Sequence, residues 1–183
     1  MGLNDGLHAN ESNPPANTSC KILCVTQILL RSLAAMSAIA SIFVMVNSGQ
    51  STEVFGIIIQ AKYSYSSAFK FLLGTNIAIC AYLVLSIFTI CVFFALKTNW
   101  KAYFSLFLQD LIVTVLMISG CAAATAIGYV GKYGQDQTGW SKICDNATIF
   151  CNYIAISIGL SYFTFICLFV LTIMAFKRAQ FKS

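Results

Sequence analysis

Four apolar stretches, near residues 24–46, 69–96, 104–130 and 151–176, dominate this chain. Each is long enough to cross the roughly 30 Å hydrocarbon core of a bilayer, which takes about 20 residues of helix. Backbone groups in lipid find no water, so a continuous run of this kind must satisfy them internally as a helix. The second and third runs exceed the needed length, so some tilt is expected. Charged residues make up 9% of the 183 residues, against about 25% in a soluble domain. The expected fold class is therefore an all-α membrane protein, a single four-helix transmembrane bundle over residues 22–176 with short loops. Residues 1–21 are polar, include Pro14-Pro15 and show no helical period, so they read as a disordered cytoplasmic tail. Residues 177–183 read as a short basic cytoplasmic tail. No cleaved signal peptide is expected, because the first apolar run is too long and lacks a basic leader. Gly6 stands where N-myristoylation would need Ser or Thr, so that lipid is not expected either.

Orientation follows from Lys and Arg near the helix ends. With both termini inside, Lys21, Lys97, Lys101, Lys177, Arg178 and Lys182 face the cytoplasm, against Lys62, Lys70, Lys132 and Lys142 outside. The bias is modest and places both termini in the cytoplasm. The net charge of +5 implies nothing further, and no nucleic-acid surface is recognisable.

Arg31 and Asp110 are the only formal charges well inside the apolar runs. A charge at that depth costs about 2.5–3.5 kcal/mol on insertion scales unless it finds a partner or water. Helices one and three run in the same direction, and each charge lies roughly 10 Å inside the inner boundary at 1.5 Å per residue. The two are expected to form an ion pair, with the Arg fork offering two parallel donors to the carboxylate. Around them run two stripes at alternating spacings of four and three. Gln27, Arg31, Ala34, Ala38, Ser41 and Met45 lie on helix one; Asp110, Thr114, Met117, Cys121, Ala124 and Gly128 lie on helix three. Gly120, Ala124 and Gly128 also form a small-xxx-small run, which permits close helix approach. The expectation is that these two stripes face each other. Structurally, the pair fixes helix register; functionally, Asp110 would carry protons or hold a cation in a small transporter or channel subunit. The structural reading is preferred, since no second acidic relay residue or Gly/Pro-broken helix accompanies Asp110.

In the first outer loop, Ile57, Ile59, Ala61, Tyr63 and Tyr65 alternate with Ile58, Gln60, Lys62, Ser64 and Ser66, which predicts a short strand or hairpin. Its apolar face is expected to lie over the helix ends at the aromatic belt, ahead of pairing with a partner. The second outer loop carries Gly131, Gly134, Gly139 and Trp140, then Cys144 and Cys151. These two cysteines flank a polar loop and read as a disulfide in an oxidising compartment, ahead of two free thiols. Asn146-Ala147-Thr148 inside that loop matches an N-glycosylation acceptor, although a sequon pinned between two cysteines beside the membrane is often unmodified. The only histidine, His8, lies in the tail, which excludes haem ligation by paired histidines. No cofactor, metal or catalytic constellation is expected.

Specific segments resemble the plant CASP-like proteins, relatives of the Casparian strip membrane domain proteins. They are residues 120–134 (Gly-Cys-Ala-Ala-Ala-Thr-Ala-Ile-Gly-Tyr-Val-Gly-Lys-Tyr-Gly), then Trp140, Cys144 and Phe150-Cys151-Asn152. Leu30-Arg31-Ser32-Leu33-Ala34-Ala35 and Leu108-Gln109-Asp110-Leu111 fit that family's intramembrane Arg and Asp. Residues 61–69 look like the lead into its second helix. The resemblance implies a MARVEL-related four-helix bundle, plasma-membrane residence, and lateral assembly with itself or with related four-helix proteins among membrane lipids. In the best-known members such platforms recruit secreted wall-modifying enzymes. That task goes with a particular first outer loop, which residues 50–67 do not resemble, so the scaffold rather than the tissue-specific role is what carries over.

Overall fold

The computed structural model describes residues 16–54, 57–96, 100–135, 137 and 139–181. Four long helices account for most of them: α1, Ala16–Val46; α2, Ser67–Leu96; α3, Trp100–Tyr133; and α4, Thr148–Phe181. Each holds a segment long and apolar enough to cross a membrane: Val25–Val46, Ser67–Val92, Phe104–Tyr133 and Thr148–Lys177. The chain is a four-span all-α membrane protein.

Its helices are longer than the apolar runs suggested. Residues 1–15 of the expected tail lie outside the described residues, but residues 16–21 form the opening of α1 instead of a disordered segment. At the other end α4 continues through Lys177 to Phe181, where a separate basic tail was expected. Both differences have one cause. Once a span has nucleated a helix, each added residue gains a hydrogen bond at little further cost, whatever its polarity. At 30 to 34 residues, all four helices reach about 45–51 Å, so their ends project beyond the hydrocarbon or tilt within it.

The helices pack in a ring, each against its neighbours in sequence, and α4 closes the ring on α1. Helices α1 and α3 therefore stand diagonally, and their two stripes do not meet as a direct seam. Short loops between antiparallel neighbours force this arrangement, because sequential helices must lie side by side. The small residues serve the nearer contacts instead. Ser37 and Ser41 of α1 donate to the Leu160 and Ser157 carbonyls of α4, at 2.9 and 3.0 Å. Gly120 of α3 lies against Leu72 and Thr75 of α2, and Gly128 lies near Ile158 of α4. Ala34, Ala38 and Ala124 are fully buried in the bundle core. The outward faces are apolar, with Met36, Phe43, Val84 and Phe88 each more than 60% exposed, as lipid contact requires.

Beyond α1 the chain forms an antiparallel hairpin of β1, Gln50–Val54, and β2, Ile57–Ala61, with Thr52 opposite Ile59. The expected strand stops at Ala61 because Tyr63–Tyr65 close a 3-10 turn that leads into α2. The side chains of residues 52–59 and 61, on which the expected apolar face rests, lie outside the described residues. One side chain of the hairpin does reach the bundle. Gln50 accepts a hydrogen bond from the Phe150 backbone N–H at 3.0 Å, in the first turn of α4. The residue before α4 is Ala147, which has no capping side chain, so Gln50 satisfies one of the open N–H groups from another loop.

A Cβ added at Gly120 would come within 2.7 Å of Thr75 Oγ1, which is itself held by a bond to the Leu72 carbonyl. Gly120→Ala is expected to push α3 off α2 and lower stability by about 1–3 kcal/mol. Gly74→Ala, where a Cβ meets open space, is expected to change thermal unfolding in detergent by much less.

Candidate functional site

The interior holds two polar layers. Nearer the termini, Arg31 Nη2 lies 2.6 Å from Asp110 Oδ2, and both side chains are completely buried. The pair crosses the bundle diagonal, which only a side chain as long as arginine can do from α1. The fork-to-carboxylate geometry expected from the sequence does not occur. Arg31 Nη1 instead donates to Ser86 Oγ of α2 at 2.7 Å, because α2 stands between the two diagonal helices. Tyr82, one turn earlier on α2, donates its hydroxyl to Asp110 Oδ1 at 2.6 Å, and its ring lies 5.9 Å from the guanidinium carbon. Each carboxylate oxygen thus has its own strong donor, and the cation also faces an aromatic ring. Ser86 donates its own hydroxyl hydrogen bond to the Leu83 carbonyl at 3.0 Å. Thr114, one turn after Asp110, bonds the Asp110 carbonyl at 2.7 Å and shares a 3.1 Å contact with Thr172, which brings α4 into the cluster.

The second layer lies ten residues further along α1, about 15 Å away. Ser41 contacts Ser157 and Ser161 of α4, each at 2.9 Å, and Asn76 of α2 donates to Ser161 at 3.0 Å. Between the layers Ala34, Ala38, Ile79, Leu83, Met117 and Leu168 are all fully buried. A mostly apolar plug, in which Ser37 and Thr164 both spend their hydroxyls on the Leu160 carbonyl, therefore separates the ion pair from the serine layer.

Of the serine layer the sequence singled out only Ser41, on the helix-one stripe; Tyr82, Ser86, Ser157, Ser161 and Asn76 were not singled out. Their signal was present but faint. Ser37 and Ser41, Ser157 and Ser161, and Tyr82 and Ser86 are each four apart, which stacks them on one helix face. Hydroxyls in membrane helices bond their own backbone so readily that such pairs carry little weight alone.

At the loop end, Cys144 and Cys151 are joined by a disulfide with a Cα–Cα distance of 5.7 Å. The loop folds back onto α3: Ile143 and Cys144 both donate to the Gly131 carbonyl, at 3.0 and 3.2 Å. Gly134 caps α3 at a φ of +71°, with Trp140 O only 2.9 Å from where a Cβ would stand. Asn146 is exposed within this loop, and Thr148 of its sequon is the first residue of α4. Among the described residues, no group of His, Cys, Asp or Glu is placed to hold a metal ion.

Comparison with known proteins gives a consistent picture. The Casparian strip membrane protein domain matches residues 21–167. CASP-like protein 1F2 of Vitis vinifera is 44% identical over 175 residues, 96% of this chain and 89% of that protein. CASP-like protein 1F2 of Ricinus communis is 42% identical over 164 residues, covering 89% and 82% of the two chains. CASP-like protein 1F1 of Vitis vinifera is 41% identical over 170 residues, covering 93% and 82%. No solved structure matches.

Tyr82→Phe removes the donor to Asp110 Oδ1 and is expected to cost about 1–3 kcal/mol, the penalty of leaving a buried charged acceptor short of a partner. Ser86→Ala removes one partner of Arg31 and is expected to cost less, about 1 kcal/mol. Unfolding of the purified variants in micelles measures both. Equal stability of Tyr82→Phe and the parent would contradict this geometry.

Proposed function

The chain belongs to the Casparian strip membrane protein domain family of multi-pass membrane proteins, and from that premise we propose that it is a non-enzymatic plasma-membrane scaffold. Units associate side by side, with themselves or with related four-helix proteins, and organise a membrane subdomain. The outer loops then offer a small, stapled surface to which wall-modifying proteins attach. Both termini face the cytoplasm in this reading, which puts the disulfide loop in an oxidising compartment.

One observation carries the proposal. The single acidic group among the described residues of the bundle interior has both oxygens engaged by protein donors and no exposure at all. A carboxylate that moved protons or cations would need an open side, and the apolar plug beyond it supplies none. With the interior spent on holding the bundle together, the outward helix faces and outer loops are left as working surfaces. The disulfide loop and the Gln50 cap support the same reading, since they fix the shape of the outer end.

Two differently tagged copies are expected to co-purify in mild detergent, with a particle mass at a multiple of the 20.0 kDa chain. Asp110→Asn is expected to be retained and degraded before it reaches the cell surface, because it strands Arg31. A strictly monomeric particle, or an Asp110→Asn protein that reaches the surface intact, contradicts the scaffold reading.

A further inference from the structure

Four hydroxyls on the outer sides of the spans satisfy themselves. Thr26, Ser32, Thr89 and Ser119 each donate to the carbonyl four residues earlier, at 2.8 to 2.9 Å. Side-chain amides have no such option for all their hydrogens, and in the spans they are placed with care. Gln27 and Asn76 are buried. Asn152 is exposed and also has no hydrogen-bond partner among the described residues, but it sits in the first turns of α4 beside the disulfide loop. Gln109 shares that exposure but lies further from the start of its helix, which begins at Trp100. It is exposed on α3, five residues past Phe104 where the span begins, roughly 8 Å inside the boundary. Among the described residues it has no hydrogen-bond partner. An amide held against hydrocarbon without a partner is costly, and a neighbouring helix with a matching polar group removes that cost.

We propose that Gln109 pairs with Gln109 of a second copy of this chain across a lateral α3–α3 contact. Three features select that partner. A primary amide both donates and accepts, so two of them related by a two-fold axis exchange two hydrogen bonds. Two copies in one membrane share an orientation, so their α3 helices run parallel and each Gln109 meets its counterpart at equal depth. Gln109 also heads an outward row, Gln109, Ile112, Leu116, Ser119, Ala123 and Ala126, with spacings of three, four, three, four and three. That heptad alternation suits a left-handed helix pair, and its small members toward the loop end allow close approach. A single polar residue in such a row sets register and partner number.

This inference rests on the scaffold reading above and names the face through which copies meet. The test uses full-length protein in phosphatidylcholine vesicles, with the exposed thiol Cys91 replaced by Ser. Ile112→Cys on the α3 row is expected to give a disulfide-linked dimer on mild oxidation, and Ile166→Cys on the outward face of α4 is not. Energy transfer between labelled copies reads the association constant, which Gln109→Leu is expected to lower about tenfold and Gln109→Asn to lower less. Leucine is at home in lipid, so the variant keeps its fold, which an unchanged melting curve verifies. If Gln109→Leu associates as well as the parent, or Ile166→Cys cross-links while Ile112→Cys does not, the α3 contact is overturned and the scaffold stands. If the parent itself is monomeric in vesicles, both fall together.

Discussion

A guanidinium and a carboxylate, both wholly removed from water, meet across the diagonal of this bundle. Neither tolerates that environment alone, so each depends on the helix carrying the other. Because α1 and α3 are not neighbours, the link passes through the space that α2 and α4 enclose. Tyr82 and Ser86 on α2 add a bond to each of the two charges, leaving Arg31 Nε without one, and Thr114 ties the Asp110 turn to Thr172 on α4. All four helices thus take part in one cluster. A slip of α1, α2 or α3 by one turn would break charge-assisted bonds and a slip of α4 would break the Thr114–Thr172 contact, which favours a single register.

The rest of the bundle follows a different rule. In lipid the apolar exterior supplies no drive for helices to associate, so packing and interhelical hydrogen bonds must do so. The serines of α1 reach backbone carbonyls of α4, which is possible only where small residues let the helices come close. Gly120 does the same for α3 against α2. At the loop end the disulfide and the Gln50 cap hold the first turn of α4, while the hairpin stays joined to the bundle through that cap.

The four spans and the Arg31–Asp110 pair were legible in the sequence for the same reason: hydrocarbon is a harsh filter, and long apolar runs with two lone charges leave few alternatives. The helix ends were not legible, because hydropathy marks where the membrane stops and helical hydrogen bonding continues past it. The diagonal placement of α1 and α3 was missed because matching stripes suggest adjacency, whereas loop length decides which helices are neighbours. Tyr82 and Ser86 escaped notice because hydroxyls lack the unmistakable cost of a charge. The splitting of the Arg31 fork between Asp110 and Ser86 depends on where α2 stands, which no spacing within one helix reveals. Cys144 and Cys151, by contrast, stood out as the cysteines flanking a polar loop.

Seen as a whole, the polar interior acts as a lock and leaves the surface to deal with neighbours. The most direct test of that lock is a double-mutant cycle on Arg31 and Asp110, using Arg31→Met, Asp110→Leu and the combination, with unfolding followed in micelles. Each single change is expected to cost about 3–5 kcal/mol, since it leaves a buried charge uncompensated, and the combination is expected to cost far less than their sum. Costs that simply add, to within about 0.5 kcal/mol, would show that the two charges do not depend on one another and would contradict this account.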